Sequence, residues 1–280
     1  QMLKLPPKVM TFSATDPSGG AGLQADVLTL ASIGCHPLSV TTGITVQDTI
    51  GIDSLMALSS ELVNDQARSI LEDMDVAIFK CGVLGSIENI TAVAEIVADY
   101  PDIPLIIDPV LASGRGDDLA STEMLLAMTE LLFPQSLLIT PNSFEARQLV
   151  IQDDEEFSDI NIEECANRFR LLGCKNILIT GTHEKTDSVI NTLYDHVGQS
   201  TPFYWDRLPG NYHGSGCTLT SAIAGYYAQG LALEVAVEEA QQFTWQTLRN
   251  AFKPGMGQSI PDRFFWVNDE EDDDGRYNHN

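Results

Sequence analysis

The chain is 280 residues long, with 44% apolar and 8% aromatic residues, enough for one large α/β domain or two smaller ones with a sizeable core. Its 40 Asp and Glu residues outnumber 15 Lys and Arg, for a net charge of -25. That balance argues against nucleic acid and anionic membranes as partners, which are held by clustered Lys and Arg, and no apolar run approaches the ~18 residues of a membrane span.

Within residues 1–13 the apolar runs are too short for a secretory signal. Short apolar, β-rich runs then alternate with longer stretches of helical period. The pattern predicts strands over residues 9–14, 38–46, 76–84, 105–110, 137–140, 176–180, 188–194 and 201–207. It predicts helices over 22–33, 61–72, 87–100, 122–132, 162–172, 216–229 and 233–252. Such alternation implies an α/β fold with a mainly parallel central sheet and helices on both faces. Neither a repeat nor a linker interrupts it, so a single domain over residues 1–268 is expected. Residues 153–156 form an acidic run that reads as a solvated loop. At the end, six consecutive acids from Asp269 to Asp274 precede the single base Arg276, and residues 269–280 read as a disordered tail.

Cys35, Cys81, Cys165, Cys174 and Cys217 form neither a CxxC nor a zinc pattern, and their number is odd. They read as small buried hydrophobes in a reducing compartment, with Cys217 the exception, and a cytoplasmic location is expected.

In open parallel sheets, ligands bind beyond the carboxyl ends of the strands. Polar residues gather at those ends here. The first strand runs into Thr15-Asp16-Pro17-Ser18-Gly19-Gly20-Ala21-Gly22, and the second ends at Gln47 and Asp48. Later strands open into Lys80-Cys81-Gly82, Asp108-Pro109, Pro141-Asn142 and Thr180-Gly181. Six such endings on one edge predict an active-site rim. The strongest local feature is His213-Gly214-Ser215-Gly216-Cys217-Thr218 ahead of a small-residue helix. A glycine turn opening a helix offers free N–H groups and the positive end of the dipole, an anion hole suited to a transferring phosphate. The Lys of a Walker A loop is missing. Gly20-Ala21-Gly22-Leu23-Gln24-Ala25 matches a dinucleotide fingerprint, but it lies too far from the strand and no acid near residue 40 would hold a ribose.

Together these residues resemble one family. Thr15 to Asp26 is similar to the N-terminal signature of the hydroxymethylpyrimidine and phosphomethylpyrimidine kinases of thiamine biosynthesis, which have a ribokinase-like fold. Gln47, Lys80-Cys81-Gly82, Asp108-Pro109-Val110, Thr140-Pro141-Asn142 with Glu145-Ala146, and Gly214 to Cys217 follow in the family's order. The resemblance spans residues 9–260.

It implies that Gln47 holds the aminopyrimidine, with Asp26, Gly20, Gly22 and Val83 completing the substrate pocket. Asn142, Glu145, Thr180 and Gly181 would bind the nucleotide, while Asp108 and Glu145 would face Mg²⁺. Gly214, Gly216 and Cys217 would be catalytic. Cys217 stands where sugar kinases of the superfamily carry an Asp base, and a thiol at a helix N-terminus is expected to have a lowered pKa. Three positions depart from the family: Val83 replaces a common Met, Thr182 a second Gly, and Glu238-Glu239 stand where basic residues are frequent.

The expected function is ATP- and Mg²⁺-dependent phosphorylation of 4-amino-5-hydroxymethyl-2-methylpyrimidine, and of its monophosphate to the diphosphate. The alternative is a pyridoxal-type kinase on the same fold. A non-catalytic pyrimidine-binding regulator would need none of this phosphate machinery. The resemblance implies a homodimer, and Ser113-Gly114-Arg115-Gly116 is expected to be a mobile loop.

Overall fold

In a computed structural model, residues 4–112 and 118–267 are described, so the expected mobile loop and acidic tail lie outside them. Strands β1 (Lys8–Thr15), β2 (His36–Gln47), β3 (Ile52–Ala57), β4 (Ile78–Cys81) and β5 (Leu105–Ile107) are followed by β6 (Leu138–Ile139), β7 (Asn176–Ile179), β8 (Val189–Tyr194) and β9 (Ser200–Trp205). They form one sheet in the order β3-β2-β1-β4-β5-β6-β7-β8-β9. From β2 to β7 the neighbours run parallel, while β3, β8 and β9 add antiparallel edges.

Successive strand residues point to opposite faces, so a strand covered on both sides is largely apolar on both. Phe79, Leu105, Ile107, Ile139 and Ile177 enter one core. Their neighbours Ile78, Ile106, Leu138 and Leu178 enter the other. The first core is closed by α2 (Ser60–Asp73), α3 (Ile87–Asp99), α4 (Thr122–Ala127), α5 (Ser143–Val150) and α6 (Ile162–Leu171). The second is closed by α1 (Gly22–Ser32), α7 (Ser215–Ala228) and α8 (Leu233–Arg249). Strand order reverses direction between β1 and β4, the crevice where such sheets bind ligands.

Three elements differ from the sequence expectation. The edge strand β3 was not expected: Asp53, Ser54 and Met56 are exposed and carry no buried alternation. Its pairing is set by the turn at Asp48, whose Oδ1 accepts from the N–H groups of Ile50 and Gly51. Helix α5 was also missed, being only eight residues long. The helix expected over 122–132 divides, with π-helical Met128–Leu132 following α4 and a 3-10 turn at Phe133–Gln135. The acidic run at 153–156 is mostly exposed, with Glu155 held by Arg168 at 2.5 Å. All five cysteines are free, and four are buried. Among the described residues no helix is long and apolar enough to cross a membrane.

Candidate active site

The loop after β1 is organised by Asp16. Its Oδ1 accepts from the N–H and hydroxyl of Ser18 at 2.9 and 2.7 Å, and its Oδ2 accepts from the N–H of Ala21 at 2.8 Å. That same Oδ2 lies 2.8 Å from His213 Nε2. Burial opposes the charge of Asp16, but His213, Ser18 and the two N–H groups outweigh it and hold the carboxyl below its ordinary range. The first and last motifs of the chain are therefore joined by a buried polar contact.

Gly214 caps α7 with φ +91, a left-handed conformation that glycine adopts without strain. A Cβ there would also collide with the Gly20 carbonyl. Arg263, 3% exposed, fastens the two turns: it donates to the Gly19 and Gly20 carbonyls at 3.0 and 2.6 Å and to Thr218 Oγ1 at 3.0 Å. Burial pushes the guanidinium down to about 10, so it stays charged at neutral pH. Arg263→Met leaves the buried Gly20 carbonyl and the half-buried Gly19 carbonyl without this donor and is expected to cost about 2–4 kcal/mol. Urea unfolding checks this, and an unshifted midpoint would show that the turns hold without the fork.

Two carboxylates face the same space. Asp108 follows β5 and is 5% exposed; a Cβ on Gly216 would stand 3.7 Å from its Oδ2, so it looks across at the first turn of α7. Glu145 lies in a capping box at the start of α5: Asn142 Oδ1 accepts from the Glu145 N–H at 2.7 Å, and Glu145 Oε1 accepts from the Asn142 N–H at 3.0 Å. The Asn-x-x-Glu spacing thus has a structural reason, and it was the signal that could have revealed α5. Burial raises the pKa of both acids, and the neighbouring Asp108 charge raises Glu145 further. Lys80 counters part of the effect at Asp108.

A cavity of about 760 Å³ runs along these strand ends. Gln47, Gly22, Val83, Asp108, Asn142 and Glu145 line it, as do Thr180, Gly214, Gly216 and Cys217. Gln47 lies just past a register shift between Val46 and Gln47, and its Nε2 donates to Thr45 Oγ1 at 2.6 Å. Thr45 donates in turn to the Thr15 carbonyl at 2.6 Å, binding the ends of β1 and β2 together. At the far end the Thr180 carbonyl accepts from the Ser143 N–H at 2.9 Å, joining the motifs that follow β6 and β7.

Several expected residues lie elsewhere. Asp26 is fully buried beneath the cavity, where it pairs with Lys80 at 2.8 Å and accepts from Thr11 and Ser221 at 2.5 and 2.6 Å. A buried Lys needs such a partner: burial would lower the Lys80 pKa, but Asp26, with Cys217 and Asp108 nearby, raises it above its ordinary value. Gly20 and Gly181 also lie outside the lining, packed behind His213 and against the Ile190 carbonyl. Glu238 and Glu239 are exposed on α8, away from the cavity, whereas Val83 and Thr182 line it. The sequence reading missed Asn191, Trp205, Gln241, Trp245 and Gln258, which also line it. Asn191 donates to Gln241 Oε1 at 2.9 Å, as does the Trp205 indole. No local motif marks these residues, because β8, β9, α8 and the segment after α8 bring them in from distant parts of the chain.

The lowered thiol pKa expected for Cys217 is corrected. Burial pushes this half-buried thiol up to about 12, and the nearby Asp108 and Asp26 charges offset the pull of Lys80. Iodoacetamide should therefore alkylate Cys217 at least about tenfold more slowly than a free thiol at pH 7.5, with a rate still climbing above pH 10. Fast alkylation that levels off near pH 8 would contradict this assignment.

The geometry can be set beside known proteins. The family model for phosphomethylpyrimidine kinase matches residues 16–262. The thiamine biosynthesis bifunctional protein ThiED of Geobacter sulfurreducens is 34% identical over 252 residues, covering 89% of this chain and 50% of that protein, so this chain spans half its length. The hydroxymethylpyrimidine/phosphomethylpyrimidine kinase of Mycobacterium bovis is 35% identical over 256 residues, covering 90% of this chain and 92% of the relative. Among solved structures, pyridoxal kinase from Staphylococcus aureus in complex with pyridoxal has a TM-score of 0.82 at 26% identity, covering 93% and 94% of the two chains. Phosphomethylpyrimidine kinase from Clostridium difficile 630 has a TM-score of 0.72 at 29% identity, covering 85% and 97%.

Proposed function

We propose an activity for this chain from one premise: it belongs to the phosphomethylpyrimidine kinase family. The chain is a small-molecule kinase with a ribokinase-like fold. Its reaction is ATP-dependent phosphorylation of 4-amino-5-hydroxymethyl-2-methylpyrimidine, and of the monophosphate to the diphosphate, in thiamine biosynthesis. One observation carries this reading: a carboxamide corner at Gln47, two buried carboxylates and a glycine turn at a helix N-terminus share a single cavity.

In this reading the Gln47 carboxamide, which can both donate and accept, pairs with the ring nitrogen and exocyclic amine of the substrate. The hydroxymethyl oxygen attacks the γ-phosphorus of ATP, and as the new O–P bond forms its proton passes to an oxygen of the transferring phosphoryl group and from there to water. The bond to the β–γ bridging oxygen breaks, and ADP leaves with that electron pair. The N–H groups at the start of α7 stabilise the charge that moves onto the transferring phosphoryl group. Cys217 stands as a thiol before substrate binds, so it serves first by shaping this end of the cavity. The nucleotide lies on the side of Asn142, Glu145 and Thr180.

Mg²⁺ fits the same place. Two buried carboxylates line the cavity there, and Glu145 Oε2 accepts a long bond from the Leu111 N–H at 3.4 Å. Mg²⁺ keeps several waters and is bound through one or two carboxylates together with substrate phosphates, and two carboxylates are what this place offers. Asp108 and Glu145 would hold the ion, which when bound supplies charge neutralisation on the phosphates.

The second reading, a pyridoxal-type kinase, is favoured by the pyridoxal complex of the Staphylococcus aureus relative. Product analysis separates the two. With ATP and the aminopyrimidine alcohol, phosphorus NMR should detect the monophosphate and then the diphosphate. Turnover of pyridoxal alone would favour the second reading. A cytoplasmic homodimer completes the proposal, supported by the free cysteines and by exposed Ile44, Val46 and Met56 on the β2–β3 edge. Sedimentation at several concentrations tests the dimer.

A further inference from the structure

The connection from β7 to β8, residues 180–188, walls one end of the cavity, where Thr180, Thr182 and His183 line it. An irregular segment has no ladder of its own, so its carbonyls need donors from elsewhere. Inside it the Glu184 N–H donates to the Gly181 carbonyl at 3.1 Å and closes one turn. The rest of the grip comes from Arg207, which stands just past β9. Its Nη1 donates to the Thr182 carbonyl at 2.9 Å, its Nη2 to the Glu184 carbonyl at 2.6 Å and its Nε to the Thr186 carbonyl at 2.9 Å. Alternate carbonyls of the loop thus converge on one guanidinium.

These bonds all end on neutral oxygens, and Arg207 is the sole Lys or Arg among the described residues that line the cavity. A planar fork can serve carbonyls at three angles, whereas an ammonium is a single point of charge. Arg207 is itself anchored, since the preceding Asp206 carbonyl accepts from the Trp245 indole at 3.1 Å. The chain then runs on to the anion turn at Gly214. From the opposite side Arg147, on α5, grips the Glu184 carboxylate with two bonds of 2.9 and 2.8 Å. The loop is therefore strapped to both elements that present the phosphate machinery, Asn142 with Glu145 on one side and Gly214 on the other.

We propose that Arg207 is a positioning residue for the nucleotide, its fork holding Thr182 and His183 in the conformation that receives ATP. The inference rests on the kinase reading above, which places ATP at this end of the cavity. Arg207→Met removes fork and charge together, and Arg207→Lys removes the fork alone.

The test compares these two variants with the parent. Without the fork the loop leaves its binding conformation, and apparent affinity falls with the fraction that keeps it. For a fraction of about a tenth to a thirtieth, the KM for ATP should rise about 10- to 30-fold in both variants. The KM for the aminopyrimidine should stay within about twofold and kcat at saturating ATP within about threefold, because Gln47 and Asp108 stand on other elements. Trypsin should cut after Lys185, inside the loop, at least about fivefold faster than in the parent, and excess ATP should slow the cut again. A KM for ATP within about twofold of the parent, or equal losses for both substrates, would overturn the role of Arg207. Recovery of the parent KM in Arg207→Lys would overturn it too, by showing that charge alone suffices. A parent enzyme that phosphorylates no alcohol from ATP would overturn the kinase reading and the nucleotide role with it, while the trypsin rates would still report on the fork.

Discussion

Gln47→Leu is expected to lower kcat/KM for the aminopyrimidine alcohol about 30- to 1,000-fold, while KM for ATP stays within about twofold. A half-buried carboxamide facing an aminopyrimidine makes two complementary hydrogen bonds, and Leu removes both. At ~1–2 kcal/mol per neutral bond the loss is about 2–4 kcal/mol, because the polar edge of the ring is left unsatisfied. The effect should be confined to one substrate, since Gln47 ends β2 whereas Asn142 and Gly214 approach from other elements. The local hydrogen bond to Thr45 offers a rival account, in which Gln47 merely finishes its strand. Steady-state kinetics decides: a variant within threefold of the parent on the aminopyrimidine would remove Gln47 from the substrate pocket.

Asp108→Asn should slow phosphoryl transfer about 100- to 1,000-fold, the range seen when one group that stabilises transition-state charge is lost. Pyrimidine affinity should remain near the parent value. Asp108 is buried opposite the first turn of α7, where the phosphates meet both the helix N-terminus and the metal. Asn keeps the shape and removes the charge, so binding of the neutral ring has little to lose. Glu145→Gln should act in the same direction, and because Gln also completes a capping box, α5 should keep its stability. Single-turnover rates with calorimetric titration of the aminopyrimidine separate chemistry from binding. Equal losses in rate and affinity would move these carboxylates into the substrate pocket.

The central sheet was legible because strands buried on both faces are largely apolar, as at Leu105–Ile107 and Leu138–Ile139. The edge was not: β3 exposes Asp53, Ser54 and Met56, and only the Asp48 turn marks it. The rim residues were legible for a related reason. A strand that ends abruptly in Gln47, Asp108 or Asn142 places a polar side chain at a sheet edge where the fold binds ligands.

Partnership across the chain was hidden. Asp26 and Lys80 each stand in a recognisable motif, yet nothing local shows that they neutralise one another beneath the cavity. The state of Cys217 was also hidden, because it follows from burial and from Asp108 and Asp26 rather than from the helix that carries it. Arg263 and Gln258 arrive from a stretch with no chemical signature, and only the folded contacts connect them to Gly20 and Thr49.

The substrate assignment is tested most directly by competition in one vessel: equal concentrations of the aminopyrimidine alcohol and pyridoxal, limiting ATP, and both products followed over time. The ratio of products gives the ratio of kcat/KM values without separate calibrations. A pocket built around Gln47 predicts that the aminopyrimidine phosphate forms first, with a preference of at least about tenfold. Pyridoxal phosphate forming first by the same margin would contradict it and make the chain a pyridoxal-type kinase.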